Sequence, residues 1–323
     1  MRIVGVDGRL AKRGIVLTRR VRLEMAVNAH MKWRLSRILA GACALVLLAS
    51  GLGGCTTNPA TGKSQFNMLS RAEEIQIGED AKPQLVEQYG GRIDDPYMQA
   101  YVTEVGMSMV PYVEGDYGEL PWEFIVLDSE VINAFALPGG KVFITKGLLQ
   151  ELEDEAMLAG VLGHEIGHVT AEHADKRISN QMILSGVVIG ATVAAGVGSD
   201  DDLVQIGVPI LVGVGGQGFL LKFGRNDELQ ADSLGMRYMS RAGYDPEAQR
   251  DVMQVLEHAS GGGADSAGGS RPPEILSTHP YPETRIKRIN KQLEEDYPPE
   301  MRASLARDKM RFEQRVLSQL PED

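Results

Sequence analysis

The chain has 323 residues, 43% of them hydrophobic, a composition that excludes a disordered or fibrous protein. Its 33 basic and 44 acidic side chains leave a formal charge of −11, unevenly placed: residues 1–54 carry ten Arg and Lys against Asp7 and Glu24, a net +8, so the remaining 269 residues carry −19. A body that acidic excludes a nucleic-acid partner and argues against direct binding to anionic lipid; with both cysteines, Cys43 and Cys55, at its N-terminal margin, it has no thiolate metal site or disulfide framework.

From Met31 the chain reads MKWRLSRILAGACALVLLASGLGGC, with Lys32, Arg34 and Arg37 ahead of an apolar run from Ile38 to Leu52. This is the layout of a signal peptide over residues 1–54. The run of about 15 residues falls short of the roughly 20 that span a bilayer, which sets a permanent anchor second. Leu52-Gly53-Gly54-Cys55 resembles the bacterial lipobox, which makes Cys55 the expected lipidation site and Thr56 a pointer to the outer membrane. Residues 1–30 fit no part of a signal peptide, so Met31, or else Met25, is the expected start.

Residues 55–70 are polar, with Asn58-Pro59 and Thr61-Gly62, and read as a lipidated tether. Ser70-Arg71-Ala72-Glu73 has capping-box spacing and opens a helix; a second helix runs from about Pro96 to Met109, before Pro111. Trp122 to Asp128 reads as a strand, and Val131–Leu137, Pro138-Gly139-Gly140 and Lys141–Thr145 together as a β-hairpin. Helical sequence resumes at Gly147 and continues to about Asp175. The Gly-rich apolar stretch from Ile183 to Leu221 reads as two buried helices or, alternatively, a lid over the membrane surface. Helices follow at Glu228–Met239 and after Asp245-Pro246-Glu247; Gly261–Ser270 is a low-complexity loop, and the charged tail is helical with a break at Pro298-Pro299.

His164-Glu165-Ile166-Gly167-His168 is an HExxH sequence within the predicted helix, above an apolar face of Met157, Leu158, Val161 and Leu162. At about 100° per residue, His168 lies about 40° around from His164 and one turn along, so both imidazoles reach one ion. Glu165 beside them is placed to act as general base on water. The pattern predicts a zinc hydrolase site, which needs a third protein ligand. His173 lies about 140° around a continuous helix from His168 and is expected to face away, as a polar surface or capping residue. The HExxHxxGxxH spacing is not met either, since Ala171 and Ala174 occupy the required Gly and His positions. Glu228 and Asp232 share a helix face, where one could bind zinc while the other accepts a hydrogen bond from a liganding histidine; the alternative is a solvated acidic face.

Four motifs occur in order: Asn133-Ala134-Phe135-Ala136-Leu137-Pro138-Gly139-Gly140, the HEIGH sequence, RxxExxAD from Arg225 to Asp232, and Ser277-Thr278-His279-Pro280 followed by Arg285. From about Ser70 to Lys287 the chain thus resembles the HtpX/BepA/LoiP type of membrane-associated zinc metallopeptidases, in its single-domain lipoprotein form. The resemblance implies an α+β fold, a mainly helical gluzincin-type metallopeptidase with a small sheet and β-hairpin beside the HExxH helix. The domain would occupy residues 71–290, with a C-terminal helical tail at 291–323. One Zn2+ per chain would be held by His164, His168 and Glu228, with Asp232 bonded to His164. By the same resemblance His279 lies near the metal or the forming oxyanion and Arg285 helps stabilise that oxyanion, each weighed against a structural role. Gly224 departs from the family's usual serine, which bears on local capping.

The expected activity is endopeptidase cleavage of unfolded or misassembled envelope proteins at the periplasmic face of the outer membrane, with the membrane reached through the N-terminal lipid. The hairpin residues Asn133, Ala134 and Phe135 would offer an edge strand to extended substrate. The alternative is an assembly factor or chaperone for outer-membrane proteins with latent proteolysis, in which His279 closes the zinc site at rest. A purely structural zinc site would leave Glu165 without a task.

Overall fold

The computed structural model describes residues 55–184, 222–260 and 273–320. The leader, the loop 261–270 and nearly all of the apolar stretch 183–221 lie outside the described residues. Two short strands, β1 (Cys55–Thr57) and β2 (Ser64–Phe66), pair with each other. They are followed by α1 (Arg71–Gln88), α2 (Pro96–Met109), β3 (Glu123–Leu127), β4 (Ala134–Leu137) and β5 (Lys141–Thr145). Then come α3 (Lys146–Glu151), α4 (Glu155–Thr170), α5 (His173–Leu184), α6 (Arg225–Arg241), α7 (Ala248–Ala259), α8 (Ile275–Thr278), α9 (Pro282–Asp296), α10 (Pro299–Arg302) and α11 (Lys309–Arg315). Local chemistry sets the boundaries: the Ser70/Glu73 capping box opens α1, and Asp95 caps α2 just before Pro96.

In the three-stranded sheet β5 lies at the centre, parallel to β3 and antiparallel to β4. Alternate residues supply two separate cores. Phe124, Val126, Ala134, Val142 and Ile144 join the main helical core, while Ile125, Leu127, Phe135, Leu137 and Phe143 pack with Ile77, Ala81 and Leu85 of α1. Burial on both faces explains why these strands read as continuous apolar runs. Gly139 and Gly140 close the hairpin at φ +75° and +85°, and a Cβ at Gly139 would meet Ile75 Cα at 2.6 Å.

Three expectations are corrected. The tether is folded onto the body: Asn58 is buried, and its Nδ2 donates to Thr170 O and Tyr117 Oη at 2.9 Å, while Ala60 enters the main core. The turn residues that suggested a linker instead place a polar group where the core can satisfy it. The C-terminal tail is no appendage, because Phe312, Val316 and Leu320 belong to the main core. Arg307 O accepts from Ala156 N, and Arg307 and Arg311 bond Asp154 and Glu155 at the start of α4. The single helix expected over 147–175 is three helices: Asp154 caps α4 through Met157 N, and Glu172, at φ +54°, turns the chain between α4 and α5.

Below the sheet, Arg71 of α1 bonds Glu74 and Glu172, and Asp175 is buried nearby. Burial, reinforced by Glu172 and Asp175 against the pull of Arg71, pushes the Glu74 carboxyl up to about 8, and burial pushes Asp175 up to about 7. Because the folded pKa of Glu74 exceeds its ordinary 4.5, its contribution to stability is complete below that value and is lost as pH rises through about 8. Glu74→Gln is therefore expected to flatten the fall in melting temperature between about pH 5 and pH 9, measured by thermal denaturation across that range.

Candidate metal centre

All sixteen residues of α4 are buried, and the helix runs through the middle of the domain against α6. Glycines permit the close crossing: a Cβ at Gly235 would meet His164 N at 2.8 Å, and one at Gly167 would meet Ala231 O at 2.8 Å. This approach carries Glu228 and Asp232 of α6 up to His164 and His168 of α4. His279, at the end of α8, and Arg285, on α9, reach the same point from the other side.

Four donors converge. His164 Nε2 lies 3.0 Å from His168 Nε2 and 3.5 Å from Glu228 Oε2; His168 Nε2 lies 3.5 Å from Glu228 Oε1. His279 Nδ1 stands 3.3 Å from His164 Nε2 and 3.2 Å from Glu228 Oε1. An ion with ligands at roughly 2.0–2.2 Å in tetrahedral directions separates its donors by about 3.3 Å. These five separations, 3.0–3.5 Å, fit that figure. Both Glu228 oxygens are buried without hydrogen-bond partners, although Arg285 NH1 stands 3.0 Å from Oε2, close enough for attraction but poorly aligned. Buried carboxylate oxygens left unpaired cost free energy that a cation would offset. The donor set therefore fits a metal ion, and histidine with carboxylate favours zinc.

Glu165 points into the same space, 1% exposed, with both oxygens unpartnered and Oε1 3.7 Å from His279 Nε2. Asp232 Oδ1 lies 2.9 Å from His164 Nδ1 and also accepts from Gln249 Nε2 at 3.0 Å. The electrostatics are a contest between burial and charge. Burial opposes ionisation of Asp232, but Arg285 and His164 outweigh it and hold the carboxyl well below the usual range. Glu228 is likewise held low against burial, by His279 and Arg285. Burial and Arg285 act against a charged His164, yet Asp232 and Glu228 lift it to about 9, whereas burial drives His168 well below its ordinary value.

Arg285 does not face an open oxyanion position. It is 2% exposed, and its Nε and NH2 grip Asp232 at 2.8 and 2.6 Å, while NH1 faces Glu228. Its donors are turned to the carboxylates of Asp232 and Glu228, an arrangement that compensates their buried charge. The edge-strand residues are also divided. Ala134 and Phe135 lie in β4, an edge of the sheet, but Asn133 precedes it, fully buried, with Nδ2 donating to Tyr89 Oη and Glu274 Oε1. Asn133 thus ties the hairpin to the segment leading to His279.

His173 is outside the donor set, as expected, but for a different reason. The turn at Glu172 swings it back, so that it is buried with Nδ1 3.0 Å from His168 Nδ1. A continuous helix was the wrong premise for its direction. Gln230, Gln249 and Phe223 are further site neighbours that sequence reasoning missed. The Phe223 ring packs on that of His168, centres 4.0 Å apart, and the two line a cleft together with Ala136 and Leu137 of β4. No periodicity marks a lone aromatic after a glycine-rich stretch.

Comparison with known proteins agrees with this geometry. The model of Peptidase family M48 matches residues 96–293. The beta-barrel assembly-enhancing protease of Escherichia coli is 32% identical over 239 residues, 71% of this chain and 46% of that protein. Mitochondrial metalloendopeptidase OMA1 of Schizosaccharomyces pombe is 31% identical over 239 residues, 73% of this chain and 66% of the relative. The chain spans about half the length of the beta-barrel assembly-enhancing proteases it matches. By the extent of the family match and the buried donor set at its centre, the chain belongs to the metallopeptidases of Peptidase family M48.

Proposed function

We propose that this chain is a zinc-dependent endopeptidase that acts on unfolded or misassembled proteins of the cell envelope. The observation that carries the reading is Glu165: a buried carboxylate with no partner of its own, directed at a cluster of four metal donors. His164, His168 and Glu228 would hold the ion, with Asp232 and Arg285 fixing their orientation. Bound there, zinc supplies Lewis acidity that polarises a carbonyl and lowers the pKa of water toward about 7. Glu165 takes a proton from the attacking water and passes it to the leaving amine as the peptide bond breaks.

Substrate pairing follows from the strand register. Thr145 N donates to Asn133 O, so the alternation of an antiparallel ladder turns the backbone groups of Phe135 and Leu137 toward β5 and those of Ala134 and Ala136 away from it. An extended peptide laid along β4 would bond to Ala134 and Ala136, which requires main chain and little side-chain identity. Such low selectivity suits quality control, and the name of the Escherichia coli relative points to the envelope. Cys55, the first residue of β1, would carry the lipid that holds the domain at the outer membrane. Among the described residues no helix is long and apolar enough to cross a membrane.

His279 within the donor set favours a second element, a resting state. Were His279 to join the other three donors on the ion, the position open to water and substrate would be filled and turnover would call for His279 to withdraw; an assembly factor with latent proteolysis would use the same arrangement. The test is cleavage of dye-labelled unfolded casein by the full chain. Chelation is expected to abolish it and stoichiometric zinc to restore it; cleavage that persists in metal-free protein would refute the proposal. Envelope proteomes of cells carrying wild type or Glu165→Gln would then identify substrates, and full complementation by the variant would favour the assembly role.

A further inference from the structure

His173 opens α5, 2% exposed, with its two ring nitrogens committed in opposite directions. Nδ1 is 3.0 Å from His168 Nδ1; Nε2 is 3.1 Å from Gln230 Oε1, with Asp227 Oδ1 at 3.9 Å on the same side. Both groups near Nε2 are acceptors, so that nitrogen carries the hydrogen. A neutral imidazole has one N–H, and Nδ1 is therefore the acceptor. His168 must then donate from its own Nδ1, which leaves the lone pair of its Nε2 directed at Glu228 and His164. With the Gln230 amide turned over, every bond in this chain would reverse and His168 would present an N–H to the donor cluster, where no ion could accept it.

We propose that His173 is a positioning residue that fixes the tautomer of His168 through the relay Gln230–His173–His168, and so keeps that donor ready for the ion. The inference rests on the zinc site proposed above and assigns it a component outside the ligand set. The two ligand histidines are oriented by unlike partners: His164 by the Asp232 carboxylate, His168 by an uncharged ring. Charge explains the difference. Glu165, Glu228 and Asp232 are already buried together with Arg285 beside them, and a fourth carboxylate would add to a negative charge that a neutral acceptor avoids. The ring is buried, with Asp227 Oδ1 no nearer than 3.9 Å, a setting that favours the neutral imidazole.

Zinc affinity by chelator competition and apo-protein melting separate positioning from folding. In the full chain, His173→Phe is expected to raise the zinc dissociation constant about 10- to 100-fold, the usual cost of losing a group that orients a ligand. His173→Asn, whose amide oxygen can stand where Nδ1 stood, should bind zinc within about threefold of wild type. Two-bond proton–nitrogen correlation spectra of apo wild type should show hydrogen on His168 Nδ1 and His173 Nε2. Wild-type affinity in His173→Phe, equal losses in Phe and Asn, or the opposite tautomers would overturn the relay. If His173→Phe does not fold, Gln230→Met decides, since it removes only the acceptor for Nε2–H: weaker zinc binding supports the relay and unchanged binding refutes it. Wild-type protein that takes up no zinc would instead overturn the metallopeptidase reading, a result distinct from any of these.

Discussion

Glu165→Gln is expected to lower peptide hydrolysis by about 10²–10⁴-fold, the usual contribution of a positioned general base. Zinc affinity should hold within a few-fold, because Glu165 is not among the four converging donors. The substitution is nearly isosteric, and Glu165 forms no hydrogen bond that an amide would break. It also removes a buried carboxylate that no hydrogen bond compensates, so the melting temperature should stay level or rise. Cleavage of unfolded casein, zinc titration and thermal denaturation check the three parts separately. Activity retained in a zinc-loaded variant would remove Glu165 from the chemistry.

Arg285→Met is expected to be the most destabilising single change at the site, by about 3–5 kcal/mol in the apo protein, because breaking a buried ion pair leaves the partner's charge uncompensated. Here Asp232 loses a two-pronged partner at 2.6 and 2.8 Å, and Glu228 loses the nearby cation at 3.0 Å. Methionine fills the space without supplying charge. Zinc should narrow the difference between variant and wild type, since the ion compensates Glu228 by other means. Denaturant unfolding with and without zinc measures both quantities. A variant within about 1 kcal/mol of wild type would show that Arg285 is not the counter-ion its geometry describes.

The legible parts of the fold are those set by local chemistry. Ser70 and Glu73, Pro96 and Pro138-Gly139-Gly140 announce an N-cap, a helix start and a turn by residue type alone, and each stands where it was expected. His164, Glu165 and His168 are legible because one helical turn fixes their relation. Glu228 required the resemblance, since its arrival beside the histidines depends on Gly163, Gly167 and Gly235 letting two distant helices touch. His173 was misdirected by one residue: Glu172 in the left-handed region interrupts a run whose composition is helical throughout. Asn58 was misread because a polar residue beside proline usually marks solvent, whereas here the core supplies its hydrogen-bond partners.

The docking of the C-terminal residues has a consequence for when the site exists. Ala156 N bonds to Arg307 O, Glu155 is held by Arg311, and Phe312 and Val316 are fully buried in the core that surrounds α4. The helix that carries His164 and His168 is therefore seated by residues made about 150 positions after its own first turn. A growing chain has the HExxH residues long before it has the walls that orient them. The donor cluster therefore takes shape only once the segment from Arg307 to Leu320 has been made and has packed against α4.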